Sequence, residues 1–518
     1  MGRIRRLLIA SFMVATCLQG TACNRESSES TGDQPDPASE PGSDSKTGSA
    51  KQAEPHGPAI YFNLERGGMV MLNEDGFQKV AGIQSLDIYD PPLKAPGSGF
   101  YTYAQKMLRF DGTITDLGSA RETKVSRPHQ LTRDGKLVAT GTTTVGIHDG
   151  EAWQTWVVTE QLSGVEISNG SVKDAALAPD GTLYASLPTH LAVRSPSGEW
   201  QAYETPIVGK FGGNLAVGAD GILLISLRNK EFRGPNGVFR FSDGTFTKLG
   251  SKQLVEPFIE LDGVVHALEI GGGRLVRFVE GKLETVYAHR GTGKLSHLTL
   301  GADGKLYAML ADPRQVLRFD QGEVTRLPSK SGELRFSLST TVDSFDVDAA
   351  GRVWLRSRFG VHLIDGDTVT DLLPGPGHPL PSLVKRVVVS GPGPSKLPAL
   401  ESSGLITRTG TVVGKDGEPA AGVPIEVCAL YVAQDTAYST PTFRGKTPCA
   451  TSNDPFGQTE TDAEGRFSVA NTPRLGTITV VYKDGKTWTQ FLEKGGLKSC
   501  YDTPDEGTCD VGTIRLRR

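Results

Sequence analysis

The line that recurs along this chain is a tight turn followed by an apolar run. A repeat of near-fixed period restricts the fold more than any bulk property does. Six lines align on a glycine: "TRDGKLVAT" at Gly135, "APDGTLYAS" at Gly181, "GADGILLIS" at Gly221, "ELDGVVHAL" at Gly263, "GADGKLYAM" at Gly304 and "DAAGRVWLR" at Gly351. The spacings between these glycines are 46, 40, 42, 41 and 47 residues. A second series of turns falls between them, at Gly112, Gly150, Gly198, Gly244, Gly281, Gly322 and Gly366.

Each unit is therefore four short runs joined by turns, as in "HLTLG", "KLYAML", "QVLRF" and "EVTRL" of residues 297–327. Asp-Gly supplies the positive φ of a two-residue hairpin, and the flanking runs alternate apolar and polar. A parallel sheet would need a helix of about ten residues or more between strands, and no stretch shows that period. Four antiparallel strands in 40–47 residues is the period of a propeller blade. The expected fold is all-β: a seven- to eight-bladed β-propeller over residues 58–400, followed by a small β-sandwich. Laying units around Gly76 and the second-series glycines gives eight. The first unit lacks an innermost strand, and "SLVKRVVVS" (382–390) is placed to supply it, closing the ring and removing free sheet edges. The count is seven if the irregular region 85–130 is not a full unit.

Those same lines carry a resemblance. "VDAAGRVWLRSRFGVHLIDG" (347–366) resembles the repeats of two-component-regulator propellers, and "GADGKLYA" resembles virginiamycin-lyase-type and lactonase-type propellers. The shared motifs are structural and occur in families of different function, so the resemblance implies the fold rather than an activity.

From Gly404 the pattern changes. "TGTVVGKDGEPAAGVPIEVCAL" leads to "TETDAEGRFSVANTPRLGTITVVYKDG", which resembles the carboxypeptidase regulatory-like domain. The matching positions are Gly410, Val412, Asp416, Gly417, Pro419, Gly422 and Val423, then Thr461, Asp462, Gly465, Arg466 and Phe467. This resemblance implies a small accessory β-sandwich over 404–518 and no peptidase activity. Its insert, 430–458, is longer than the family minimum.

Four of the six cysteines fall here: Cys428, Cys449, Cys500 and Cys509. The propeller segment has none. Four clustered cysteines in an exported domain argue for two disulfides, with Cys428–Cys449 and Cys500–Cys509 each closing a local loop. Zinc is the rival, without a CxxC pair or neighbouring histidine to favour it.

The chain's start reads as an address. Arg3, Arg5 and Arg6 precede the apolar run "LLIASFMVATCL", too short to span a bilayer and shaped like a secretory signal. "LQGTAC" then places Gly20, Thr21 and Ala22 before Cys23. This resembles the lipobox of bacterial lipoproteins, although Gly20 stands where Leu is usual. The resemblance implies a signal peptide over 1–22 and lipidation of Cys23. A plain secretory signal is the alternative, and Cys17, preceded by a shorter run, is a weaker lipidation candidate. Residues 23–57 contain too little apolar surface to offset chain entropy and read as a disordered tether with a reach of roughly 30 Å. Asn24, rather than Asp, after the cysteine implies the outer membrane of a Gram-negative bacterium. The net charge of −4 gives no pull towards nucleic acid, and no nucleic-acid partner is expected.

Candidate chemistry sits where each innermost strand begins, near the central channel. Seven positions before the first-series glycines stand Asp174, Asn214, Glu256, His297 and Ser344. His129 stands six before Gly135. Carboxylate, amide and imidazole groups at one channel mouth suit calcium or another divalent ion. "GGNLAVGADG" resembles the asparagine line of lactonase-like propellers, which implies a metal-holding role for Asn214, though offset by one residue. The competing reading is that polar groups at these starts face a water-filled channel and hold nothing. His266, in "VVHALEI", reads as a blade residue. The chain lacks a GxSxG elbow and an HExxH pair, "RGTGKLSH" (290–297) lacks full phosphate-loop spacing, and "YDTPDEGTCD" (501–510) reads as a disulfide hairpin.

The expected function is that of a lipid-anchored envelope binding or scaffold protein. Its membrane partner is engaged through the N-terminal lipid, and its propeller presents a face to a protein, peptide or glycan, without catalysis and without a required cofactor. Two alternatives stay open: an exported metal-dependent lactonase-like hydrolase or lyase using the channel residues, and a sensor partner in envelope signalling.

Overall fold

A computed structural model describes residues 58–65, 68–80, 93–95, 99–104, 106–110, 114–162, 164–165, 171–207, 213–227, 236–252, 254–291, 293–310, 315–328, 344–357, 359–375, 378–429, 442–444, 449, 455–474, 478–484, 487–490, 500, 503, 507 and 508–516. The expected signal peptide, Cys17, Cys23 and the expected tether therefore lie outside the described residues.

Among the described residues, eight four-stranded antiparallel sheets follow one another along the chain. They are numbered as blades 1 to 8. The innermost strands of blades 2 to 8 are Leu93–Ala95, Arg127–Leu131, Asp174–Leu177, Asn214–Val217, Leu254–Leu261, Leu295–Leu300 and Ser344–Val347. Blade 1 has the order Gly76–Lys79, Met69–Asn73, Ala59–Leu64, Val384–Ser390. Its innermost strand comes from the far end of the domain, with Ile60 opposite Val389 and Phe62 opposite Val387. This is the ring closure expected from the sequence, and the described residues make eight blades.

Eight apolar clusters, each shared by two neighbouring blades, hold the ring. Phe62 and Leu72 of blade 1 pack with Trp354 and Leu363 of blade 8, and Tyr61 packs with Phe100 and Phe110 of blade 2. The others join blades 2 and 3, 3 and 4, 4 and 5, 5 and 6, 6 and 7, and 7 and 8. The "LYAML" strand, Leu306–Leu310, is buried throughout because it packs against neighbours on both faces.

The turn chemistry differs from expectation at the inner hairpins. Gly135, Gly181, Gly221, Gly304 and Gly351 have φ of 77 to 89°, but the residues before them, aspartate in four and Ala350 in the fifth, do not enter the left-handed region. Each glycine N–H instead closes a four-residue turn, as from Gly181 to Ala178 O at 3.0 Å and from Gly304 to Gly301 O at 3.0 Å. The aspartate contributes through its side chain: Asp180 Oδ1 accepts from Thr182 N at 2.8 Å and Asp220 Oδ1 from Ile222 N at 3.1 Å. The two-residue form with both φ positive is found at Asp262-Gly263, Asp243-Gly244, Glu280-Gly281 and Gln321-Gly322.

A three-stranded sheet (Arg466–Pro473, Leu405–Val413, Thr508–Arg515) and a five-stranded sheet then form the sandwich. Its core of Val412, Ile425, Val427, Phe467, Val480 and Ile514 also takes in Phe359 and Leu373 of blade 8. Phe359 meets Phe456 edge-on at 5.2 Å. The connector is tied down as well, with Ser403 N donating to Asp371 O at 2.7 Å and Arg474 N to Gly404 O at 2.8 Å. Propeller and sandwich thus share a core. Cys428 pairs with Cys449 and Cys500 with Cys509, at Cα separations of 5.6 and 5.7 Å, which are ordinary for disulfides. Most of the 430–458 insert lies outside the described residues.

Candidate functional site

The innermost strands bring the sequence candidates to the channel, and their side chains take different courses. Asp174 is buried. Its Oδ2 accepts the backbone N–H of Leu215 in the next blade at 2.6 Å, and its Oδ1 accepts that of Ala175 at 2.8 Å. His129 Nδ1 lies 2.7 Å from Asp174 Oδ1, and its Nε2 lies 2.8 Å from Thr140 Oγ1. Ser344 Oγ accepts from Val387 N, on the closing strand, at 3.3 Å. Two of the five candidates are thus bonded into the neighbouring blade.

The other three differ. Asn214 opens its strand opposite Ser226, half-buried. Glu256 lies in a bulged stretch between Val255 and Ile259, and its side chain is outside the described residues. His297 is exposed at a bulge between Ser296 and Thr299, with a left-handed φ of 53°. Among the described residues, no group of three or more His, Cys, Asp or Glu side chains is arranged to hold a metal ion. His266 is buried in its blade, with Nδ1 3.1 Å from Val264 O, and burial holds its imidazole below the usual pKa.

Sequence reasoning missed the residues that do most at the channel. Gln130 clamps Leu177 of the next blade, accepting its N–H at 2.6 Å and donating to its carbonyl at 3.3 Å. Ser186 Oγ accepts from Gly213 N at 2.7 Å, and Ser226 Oγ from Leu254 N at 2.9 Å. Asp346 repeats the Asp174 arrangement, accepting from Val347 N and from Val389 N, both at 2.8 Å.

Two basic side chains cross the channel. Lys94 of blade 2 donates to the Leu300 carbonyl of blade 7 at 3.1 Å and forms an ion pair with Asp346 of blade 8. Arg133 of blade 3 reaches Glu260 of blade 6, with Nε 2.8 Å from Oε1. Blades 2 and 7, like 3 and 6, are not neighbours, so these links run over the channel. All five donor and acceptor positions lie towards the inner-hairpin turns, and that end of the channel is therefore bridged. Burial pushes the Asp346 carboxyl above its usual range, against the pull of Lys94 and the two amides. Asp346 was legible as one more polar residue in "SFDVD"; Lys94, outside the repeat, gave no signal.

This fold and frame define an eight-bladed β-propeller with an attached β-sandwich. No family model matches the chain, and no curated protein matches it in sequence. Solved structures that resemble it include a streptogramin B lyase, at 13% identity and a TM-score of 0.40, covering 57% of this chain and 94% of that one. Virginiamycin B lyase from Staphylococcus aureus is similar at 13% identity and a TM-score of 0.36, covering 51% and 89%. The extracellular domain of a one-component system from B. thetaiotaomicron is similar at 15% identity and a TM-score of 0.35, covering 53% and 38%. The fold assignment rests on the sheets described above, and these similarities add nothing about activity.

Proposed function

We propose that this chain is a non-catalytic binding protein of the cell envelope, held to a membrane by lipid on Cys23. Its propeller offers the face opposite the inner-hairpin turns to a protein, peptide or glycan, and the sandwich braces blade 8. The observation that carries the reading is the use of the inner-strand polar groups. Asp174, Ser344, Gln130, Ser186 and Ser226 bond to backbone groups of adjacent blades, so these groups serve the ring. The Lys94 and Arg133 bridges favour approach from the other end of the channel.

The test is metal analysis of the purified full-length protein together with melting in calcium and in chelator. No stoichiometric ion and no calcium-dependent melting is the expected result. A stoichiometric ion lost in the Asn214→Ala, Glu256→Ala double variant would instead support a metal-dependent lactonase-like hydrolase or lyase. Pull-down from membranes addresses the third possibility, a sensor partner in envelope signalling, and failure to recover any partner counts against both binding readings. Anchoring is checked by labelling with a lipid precursor, and label retained in Cys23→Ser would refute it.

A further inference from the structure

The outer face of the three-stranded sheet carries a second feature that goes beyond the propeller reading and stands independently of it. Along Leu405–Val413 the side chains alternate, with Ile406, Arg408 and Val412 turned inward and Thr407, Thr409 and Thr411 outward. Register puts Thr409 between Ser468 and Asp510, and Thr411 between Arg466 and Thr513. Of these, Thr409, Thr411, Arg466, Ser468 and Asp510, with Glu460 from the facing sheet, line an open cleft of about 450 Å³, within the usual size range of ligand sites.

Three of its hydroxyls are not bonded within the fold. The hydroxyls of Thr461 and Thr472, in the same domain, bond to backbone at 2.6 and 3.0 Å. Those of Thr409, Thr411 and Ser468 have no hydrogen-bond partner among the described residues. Asp510 uses one oxygen on Gly512 N at 3.0 Å and leaves the other open. Arg466 is held by Asp462 and Glu464, at 3.1 and 2.9 Å, which fixes its guanidinium at the rim. The Cys500–Cys509 disulfide adjoins Asp510 and pins the strand that carries it, so the array is preorganised.

We infer that this cleft binds a neutral oligosaccharide. Rows of hydroxyls that both donate and accept, flanked by acceptor carboxylates and one donor guanidinium, match the alternating demands of sugar hydroxyls. Carboxylates of Glu460, Asp462 and Asp510 outnumber Arg466 in the lining, so anionic sugars and phosphates are repelled. The one aromatic ring in the lining, Phe467, is turned into the core, so the cleft offers a peptide no apolar anchor.

The experiment uses full-length protein in detergent and immobilised neutral hexasaccharides of cello, malto, manno and galacto type. At least one is expected to bind, and Thr409→Val with Ser468→Ala to weaken it tenfold or more. Valine keeps the β-branched shape, so the melting temperature should stay unchanged. Asn214→Ala, on the propeller, should leave sugar binding intact. The inference is overturned if no neutral sugar binds, if binding survives the cleft variant, or if only a lysine-rich peptide is retained. Sugar binding lost in Asn214→Ala but kept in the cleft variant would overturn it while supporting the propeller face.

Discussion

The Asp174 carboxylate accepts the backbone N–H of Leu215 at 2.6 Å, across the seam between two blades. A residue placed by sequence at a channel mouth therefore serves as a fastener, and similar bonds from Gln130, Ser186, Ser226, Ser344 and Asp346 repeat the device around the ring. Such a bond satisfies an amide that no ladder partner reaches on the channel side of the neighbouring strand.

Removing this acceptor should therefore cost stability. Asp174→Ala leaves the Leu215 amide buried and unpaired and is expected to destabilise by about 2–3 kcal/mol in urea titration. Asp174→Asn keeps one acceptor oxygen and should cost less. Equal loss in the two variants would show that charge, rather than the amide acceptor, matters.

Breaking the cross-channel pair gives a different signature. Lys94→Met strands the buried Asp346 carboxylate and should cost about 3 kcal/mol at neutral pH, the lower end for a buried pair because Lys94 is 30% exposed. Adding Asp346→Asn should recover part of the loss. A double-mutant cycle with no coupling would refute the pairing.

Acid should weaken the propeller before it reaches the carboxylate range. Burial depresses the pKa values of His148 and His266 below 6.5, so the unfolded chain binds the extra protons. Their contribution is complete above about pH 6.5 and is lost as pH falls through the folded values. The raised pKa of Asp346 has the opposite sign, favouring the fold at low pH and fading as pH rises through its folded value. Melting from pH 7.5 to 5 should show a decline, made shallower by His148→Gln.

The shared core predicts coupled unfolding. Phe359 is fully buried between blade 8 and the sandwich. Phe359→Ala should cost about 3–5 kcal/mol and lower the stability of both parts, not of one alone. Calorimetry resolving an unchanged sandwich transition would contradict this.

Reduction should act mainly on the sandwich. Sequence separations of 21 and 9 between the paired cysteines predict losses of about 3 and about 2.5 kcal/mol on Cys428→Ser and Cys500→Ser by chain entropy. Denaturant melts with and without reductant measure both.

What the sequence by itself determined is the part governed by local chemistry. Strand alternation, Asp-Gly turns and a period of 40–47 residues are written in neighbouring residues, so blades, ring closure through 384–390 and the sandwich were legible. The cysteine pairs were legible for the same reason, because each closes a short loop. Tertiary structure decided where the inner-strand side chains point. Bulges at Val255/Ile259 and Ser296/Thr299 change the phase of a strand, so aligned positions such as Asp174 and His297 reach different surroundings. Lys94 and Asp346 lie 252 residues apart and meet only because the ring brings non-neighbouring blades to one axis, a relation no local pattern encodes.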